Sequence, residues 1–247
     1  MKKKVVSMVV AATLMAAMLV GCGSNGSSST AKNDTKTENN TKTENNGGSA
    51  ELGKIYLVSK GFQHHFWQAV LQGANEAAAE YGVEVDFQGP DNESAYAQQV
   101  QMLNNAINNN PPAIGLAALD TESCMDSIKD AQSKGIPIVG FDSGVPGAPE
   151  GAIVANASTD NYAAGKLAGE ETYKLLKDQI ASATSTVRIG VMNQDATAES
   201  ITNRGSGFVD KIKELIEADG KTVSVEGHDK WADKKDGADV IIEVVVP

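Results

Sequence analysis

Gly135-Ile136-Pro137-Ile138-Val139-Gly140-Phe141-Asp142-Ser143 is apolar at consecutive positions and then turns abruptly polar. A strand with one wet face alternates, whereas a strand covered on both faces reads as a continuous apolar run. The stretch therefore predicts a strand inside a parallel sheet with helices above and below. Comparable runs precede and follow it: Ile55 to Ser59, Val83 to Phe87, Ala113 to Leu119 and Ala152 to Ala155. Between them lie segments of helical period. Phe66 to Tyr81 places Phe66, Val70, Ala74, Ala77, Ala78 and Tyr81 on one predicted buried face, and Gly82 ends it. Glu93 to Asn109 carries Tyr96, Val100, Leu103 and Ile107 as its stripe and breaks at Pro111-Pro112, and Met125, Ile128 and Ala131 mark a third helix. Strands alternating with amphipathic helices predict an α/β fold with crossover connections.

A second round follows: a helix from Asn161 to Lys177, a strand Val187 to Met192, a helix Glu199 to Ala218 and a strand Thr222 to Glu226. A polar loop around Trp231 to Asp236 then leads to one more strand, Val240 to Val246. The pattern divides the body into a Rossmann-like unit over residues 51–156 and a partial second one over 157–247.

The region before this body has its own character. A basic start, Lys2-Lys3-Lys4, leads into a mostly apolar core from Val5 to Val20, shorter than the run of about 20 residues that a spanning helix needs. Residues 1–21 are thus expected to be a signal peptide. The closing Leu19-Val20-Gly21-Cys22 resembles a bacterial lipoprotein signal box, which implies a lipid anchor on Cys22. Residues 22–50 are almost entirely polar or small and repeat Thr-Lys-Thr-Glu-Asn-Asn at 35–40 and 41–46. Such a segment buries no core and serves as a disordered linker, reaching roughly 30 Å root-mean-square. The expected location is extracytoplasmic, tethered to the cell membrane through Cys22, on an envelope of Gram-positive type where an untethered protein would be lost.

Composition narrows the partners. Lys2, Lys3 and Lys4 are the only charged residues before Cys22, so the remainder holds 18 basic against 32 acidic residues, a net charge of −14. That balance disfavours nucleic acid, whose backbone is bound by Lys and Arg. Apart from Cys22 the only cysteine is Cys124, so no disulfide braces the body. The sequence holds no G-x-S-x-G elbow, no H-E-x-x-H and no Cys-His cluster of metal-ligand spacing, and the adjacent His64-His65 diverge on a helix. An exported hydrolase is the remote alternative; no metal, no cofactor and no catalytic group is expected.

In open α/β sheets ligands bind beyond the carboxyl ends of the strands, so the residues just after each apolar run carry the function. The first such loop is Ser59-Lys60-Gly61-Phe62-Gln63-His64-His65-Phe66-Trp67. Aromatics beside a sheet edge offer a flat wall for the C–H face of a sugar ring. Trp67, off the predicted stripe, is expected to face the cleft; Phe66 is divided between cleft and core.

This loop, the run Gly135 to Ser143, the Asp160-Asn161 to Gly165 turn and Arg204-x-x-Gly207-Phe208, in this order, resemble the periplasmic ribose- and galactose-binding proteins. These are type I solute-binding proteins of sugar ABC importers. The resemblance covers about Gly53 to Phe208. It implies the periplasmic-binding-protein type I fold: two Rossmann-like doubly wound domains, the second incomplete, closing on a monosaccharide that is passed to an ABC permease. It also implies that Asp142 accepts hydrogen bonds from sugar hydroxyls and that Arg204 donates from the second domain. Asp120 and Asp195 are weaker ligand candidates, because either equally caps the helix after it. Two positions depart from the family: His64-His65 stands where Asn-Pro is common, with His64 a replacement hydroxyl partner, and Ser143 stands where ribose binders have arginine. Family members continue past the equivalent of Pro247, so the chain is expected to be a fragment or prematurely ended, to act as a monomer and to bind ligand poorly. The alternatives kept open are a chemoreceptor or sensor-kinase partner, and a nucleoside, polyol or signalling furanose as ligand.

Overall fold

The computed structural model describes residues 53–247. The signal segment 1–21, Cys22 and the linker 22–50 lie outside the described residues.

Five apolar runs pair in parallel as β1 (Lys54–Val58), β2 (Glu84–Gln88), β3 (Ile114–Leu116), β4 (Ile138–Phe141) and β5 (Ile153–Ala157), in the order β2-β1-β3-β4-β5. The helices between them are α1 (His65–Tyr81), α2 (Tyr96–Asn108) and α3 (Met125–Ser133). Right-handed crossovers place α1 on one face and α2 and α3 on the other, because β1 to β2 runs one way across the sheet and β2 to β4 the opposite way. The core forms under α2 and α3, where Leu103, Ile107 and Ile128 pack on Val58, Ile114, Leu116 and Ile138.

The opposite face departs from the expectation of a strand covered on both sides. Val139 is 37% exposed and Val154 58%, because β4 passes to β5 through a loop and α1 reaches only as far as Phe141, through Trp67. The buried face of α1 is also rotated by one residue from the predicted one. Trp67 is fully buried and Val70, Leu71, Ala74 and Ala78 are partly so, while Phe66 and Tyr81 stand 48% and 69% exposed.

The second sheet comprises β6 (Val187–Met192), β7 (Val223–Gly227) and β8 (Val240–Val245), all parallel, in the order β6-β8-β7. In the first sheet consecutive β1 and β2 are neighbours; here β8 separates β6 from β7. The most continuously apolar strand takes the centre, where both its edges are paired and Val240, Ile242 and Val244 are buried. Its entry is fixed by the Asp239 carboxylate, which accepts 2.8 Å bonds from Thr222 N and Oγ1.

Helices α4 (Asn161–Ser182) and α5 (Glu199–Ala218) cover this sheet and approach each other backbone to backbone. A Cβ on Gly165 would stand 2.1 Å from the Arg204 carbonyl oxygen, and one on Gly207 2.1 Å from that of Tyr162. Ile212 and Ile216 of α5 seal the core against Val223, Val225 and Val240. Below, the first lobe denotes β1–β5 with α1–α3, and the second lobe β6–β8 with α4 and α5. No helix among the described residues is long and apolar enough to cross a membrane.

Candidate ligand-binding cleft

Parallel strands of one sheet end on the same side, so the loops after β1, β2 and β4 emerge together and face the loop after β6. Between them lies a cavity of about 790 Å³, lined by Lys60, His64, Phe66, Trp67, Glu93, Asp142, Gln194, Ser200 and Arg204 among others. Hydrogen bonds cross from one lobe to the other around it. Ser200 N donates to Ser143 Oγ at 3.2 Å, Gly144 N to Glu199 Oε2 at 3.2 Å, and Thr197 Oγ1 to the Leu119 carbonyl at 3.2 Å.

Asp142 follows β4 with φ of +58°, a left-handed backbone that aspartate tolerates better than most residues. Lys60 Nζ stands 2.8 Å from its Oδ2 and also donates to Ser200 Oγ at 3.2 Å. Lys60 is buried, and Asp142 Oδ2 is buried without a hydrogen bond of its own. The ammonium therefore matches the carboxylate's charge by proximity but lies outside hydrogen-bond alignment. With Oδ2 enclosed and facing the ammonium, it is the partly exposed remainder of the Asp142 carboxylate that the cavity offers to a hydroxyl donor.

His64 N-caps α1, its Nδ1 accepting from Phe66 N at 3.2 Å, which leaves the other ring nitrogen for the cleft. Arg204 reaches the same space from α5, held by Nη2 donating to Asn161 Oδ1 at 2.6 Å. The aromatic pair does not form one flat wall: Phe66 and Trp67 are T-shaped, 4.8 Å apart at 83°. Both border the cavity, Trp67 as expected, but it is Phe66, divided between cleft and core in the sequence, that is the exposed ring. Phe66 is half-exposed in the cleft, while the Trp67 indole is buried with Nε1 donating to Glu93 Oε1 at 2.9 Å.

Two sequence candidates serve elsewhere. Asp120 lies outside the cavity lining and caps the turn before α3, its Oδ1 accepting from Glu122 N at 3.0 Å and Ser123 N at 2.5 Å. Asp195 caps the entry to α5 by accepting from Thr197 N at 2.9 Å and Ala198 N at 2.8 Å, and it borders a neighbouring cavity. In each, Oδ1 is committed to backbone N–H groups. The structure adds Lys60, Glu93, Gln194 and Ser200 to the lining; Lys60 was passed over, although a cation in the loop after the first strand is a signal that the strand-end rule could have used. Near the capped turn, burial pushes the Cys124 thiol up to about 11, so it behaves as a core residue. Among the described residues no cluster of His, Cys, Asp and Glu is placed to hold a metal ion.

The lining thus mixes acceptors, cationic donors and aromatic edges, an arrangement for recognising a polyhydroxylated ligand. Residues 55–241 match the family described as periplasmic binding protein domain. Among solved structures, the chain is 37% identical to an ABC transporter, LacI family transcriptional regulator from Brachyspira murdochii, with a TM-score of 0.63 over 79% of this chain and 57% of that one. It is 29% identical to an ABC transporter solute binding protein from Agrobacterium vitis with bound D-fucose, with a TM-score of 0.59 over 72% of this chain and 69% of that one. An ABC-type sugar transport system periplasmic component from Hahella chejuensis is 27% identical, with a TM-score of 0.61 over 78% of this chain and 60% of that one. The chain therefore spans between 57% and 69% of the length of these three proteins.

Proposed function

The chain belongs to the periplasmic binding protein domain family, and from that membership we propose that it captures a monosaccharide in the interlobe cavity for delivery to an ABC permease. The family and its sugar-transport neighbours are solute-binding proteins, not enzymes. The observation that carries the sugar reading is the Asp142 carboxylate, partly exposed in the cavity lining, with Arg204 and half-exposed Phe66 beside the same space. A sugar hydroxyl donating to that carboxylate makes a charge-assisted bond, and its C–H face meets the Phe66 ring. Lobe closure by hinge motion excludes water from these contacts, and the permease reads the closed form.

Calorimetric titration with D-fucose, D-glucose, D-galactose and D-ribose tests the reading. At least one sugar is expected to bind, with low affinity, and Asp142→Asn to weaken it further by about 10- to 100-fold, as for a lost hydrogen bond to a charged group. Binding of none of these sugars, or full affinity in Asp142→Asn, would refute it.

The protein acts as a monomer held outside the membrane by a lipid on Cys22, with residues 22–50 as its tether. The support is the basic start, the short apolar core and the polar repeat-bearing stretch that follows. Metabolic labelling with a radioactive fatty acid checks this: wild type takes up label and remains with membranes, and Cys22→Ser does neither. Equal labelling of both would discard the anchor.

A further inference from the structure

We propose that Glu93 is a positioning residue that couples the aromatic wall of the cleft to closure of the lobes. The inference rests on the reading that the cavity closes around a ligand. Glu93 lies in the loop between β2 and α2, and its two oxygens are committed in opposite directions. Oε1 accepts from Trp67 Nε1 at 2.9 Å, within the first lobe. Oε2 accepts from Gln194 Nε2 at 2.5 Å, from the second-lobe loop between β6 and α5.

Trp67 has one polar atom, and Glu93 satisfies it. The buried ring is held edge-on by Phe66 at 4.8 Å and by Phe141 at 6.4 Å, and a Cβ on Gly61 would stand only 3.3 Å from its Cδ1 and Nε1. The indole therefore has little freedom to turn while its N–H is bonded. Phe66, the ring exposed to the cleft, takes its orientation from the indole beneath it. Separating the lobes removes Gln194 and returns Oε2 to water; closing them restores a second charge-assisted bond on the same carboxylate. Glu93 thus transmits the position of the second lobe to the wall that meets the ligand.

The conservative variant separates this role from a merely structural one. In Glu93→Gln one amide oxygen remains to accept from Trp67, while the other atom becomes a donor that Gln194 can meet only by turning its amide over, which replaces a charge-assisted bond by a neutral one. Glu93→Gln is therefore expected to behave as wild type at Trp67 and to weaken the lobe contact that Gln194→Ala removes. Two readouts on the full chain test this. The first is fluorine NMR of 5-fluorotryptophan-labelled protein, with Trp67 assigned by Trp67→Phe. Its Trp67 signal is expected to move in Glu93→Ala and hold in Glu93→Gln. The second is the distance between spin labels at residues 101 and 218, with Cys22 and Cys124 replaced by serine.

In ligand-free protein Glu93→Ala and Gln194→Ala are each expected to lengthen that distance alike, Glu93→Gln to lengthen it less, and Glu93→Ala with Gln194→Ala to add nothing further. With D-fucose as probe, Gln194→Ala is expected to weaken affinity about three- to tenfold, a partly exposed hydrogen bond's share, and Glu93→Gln to weaken it less. Additive lengthening in the double variant, or a Trp67 signal unmoved by Glu93→Ala, would overturn the coupling. The distance and fluorine measurements need no sugar. Failure of D-fucose to bind would therefore count against the sugar reading alone, while the coupling stands or falls on the other two.

Discussion

Lys60 and Asp142 make the sharpest quantitative test of how the cleft is built. Replacing Lys60 by methionine keeps the apolar stem and removes the ammonium that stands 2.8 Å from Asp142 Oδ2 and bonds Ser200 Oγ across the lobes. Removing one member of a fully buried pair costs about 3–5 kcal/mol, chiefly because the other charge is left behind. Here the Lys60 side chain is 5% exposed but that of Asp142 is 23% exposed, so water from the cavity relieves part of the loss. A destabilisation of about 2–3 kcal/mol is expected, which in a body of this size lowers Tm by about 4–12 °C. Asp142→Asn alone strands the ammonium and costs a similar amount. Asparagine is the proper replacement at 142 because it tolerates the left-handed backbone. The double variant removes both charges together and should lie within about 1 kcal/mol of wild type, since well-packed neutral replacements of a buried pair are often near neutral. Urea denaturation of the four proteins gives the cycle directly. If the two single losses simply add in the double variant, the pair is not coupled and the reasoning from its burial fails.

Three further outcomes are expected. Gly207→Ala forces a Cβ to within 2.1 Å of the Tyr162 carbonyl and should cost at least about 1–3 kcal/mol in urea, whereas Gly73→Ala, with nothing within 4 Å, should stabilise by about 0.5–1 kcal/mol; the same sign for both would contradict the packing of α4 on α5. Asp120→Ala should lose a cap worth about 1 kcal/mol in Tm or urea midpoint and leave sugar affinity unchanged, in contrast to Asp142→Asn. Tyr173 is pushed up to about 12 by burial first, then by its hydrogen bond to Asp219 and the charge of that carboxylate. Its folded proton affinity thus exceeds the unfolded value of about 10, so this stabilisation is complete below about pH 10 and is lost as pH rises through about 12. Alkaline unfolding followed by circular dichroism should show that loss in wild type and its absence in Tyr173→Phe.

Most of the chain's local structure was legible because it is written in periodicity. β6 and α5 span the predicted residues, 187–192 and 199–218, since a run of β-branched residues and a sustained amphipathic stripe each allow few alternatives. The face of α1 was not legible. Phe66 and Trp67 are both large and apolar and point about 100° apart on a helix, and the alanine-rich remainder of α1 favours neither. A residue from another loop decides between them: Glu93 supplies the acceptor that lets the indole N–H be buried.

The same division runs through the acids. Asp120, Asp142 and Asp195 share one local signature, an aspartate just beyond an apolar run. Asp120 and Asp195 have free backbone N–H groups two and three residues ahead and close on them. Asp142 turns the other way through a positive φ and meets Lys60, whose side chain arrives from the end of β1. By itself the sequence determined the order of strands and helices, the parallel α/β class and the strand ends where a ligand site would form, because these follow from local periodicity and from a rule of sheet geometry. Only the tertiary structure decided that β8 lies between β6 and β7, which aromatic is exposed in the cleft and which of the three carboxylates lines it. Each of those depends on burial and on partners far away in the chain, and neither is encoded in the spacing of neighbours.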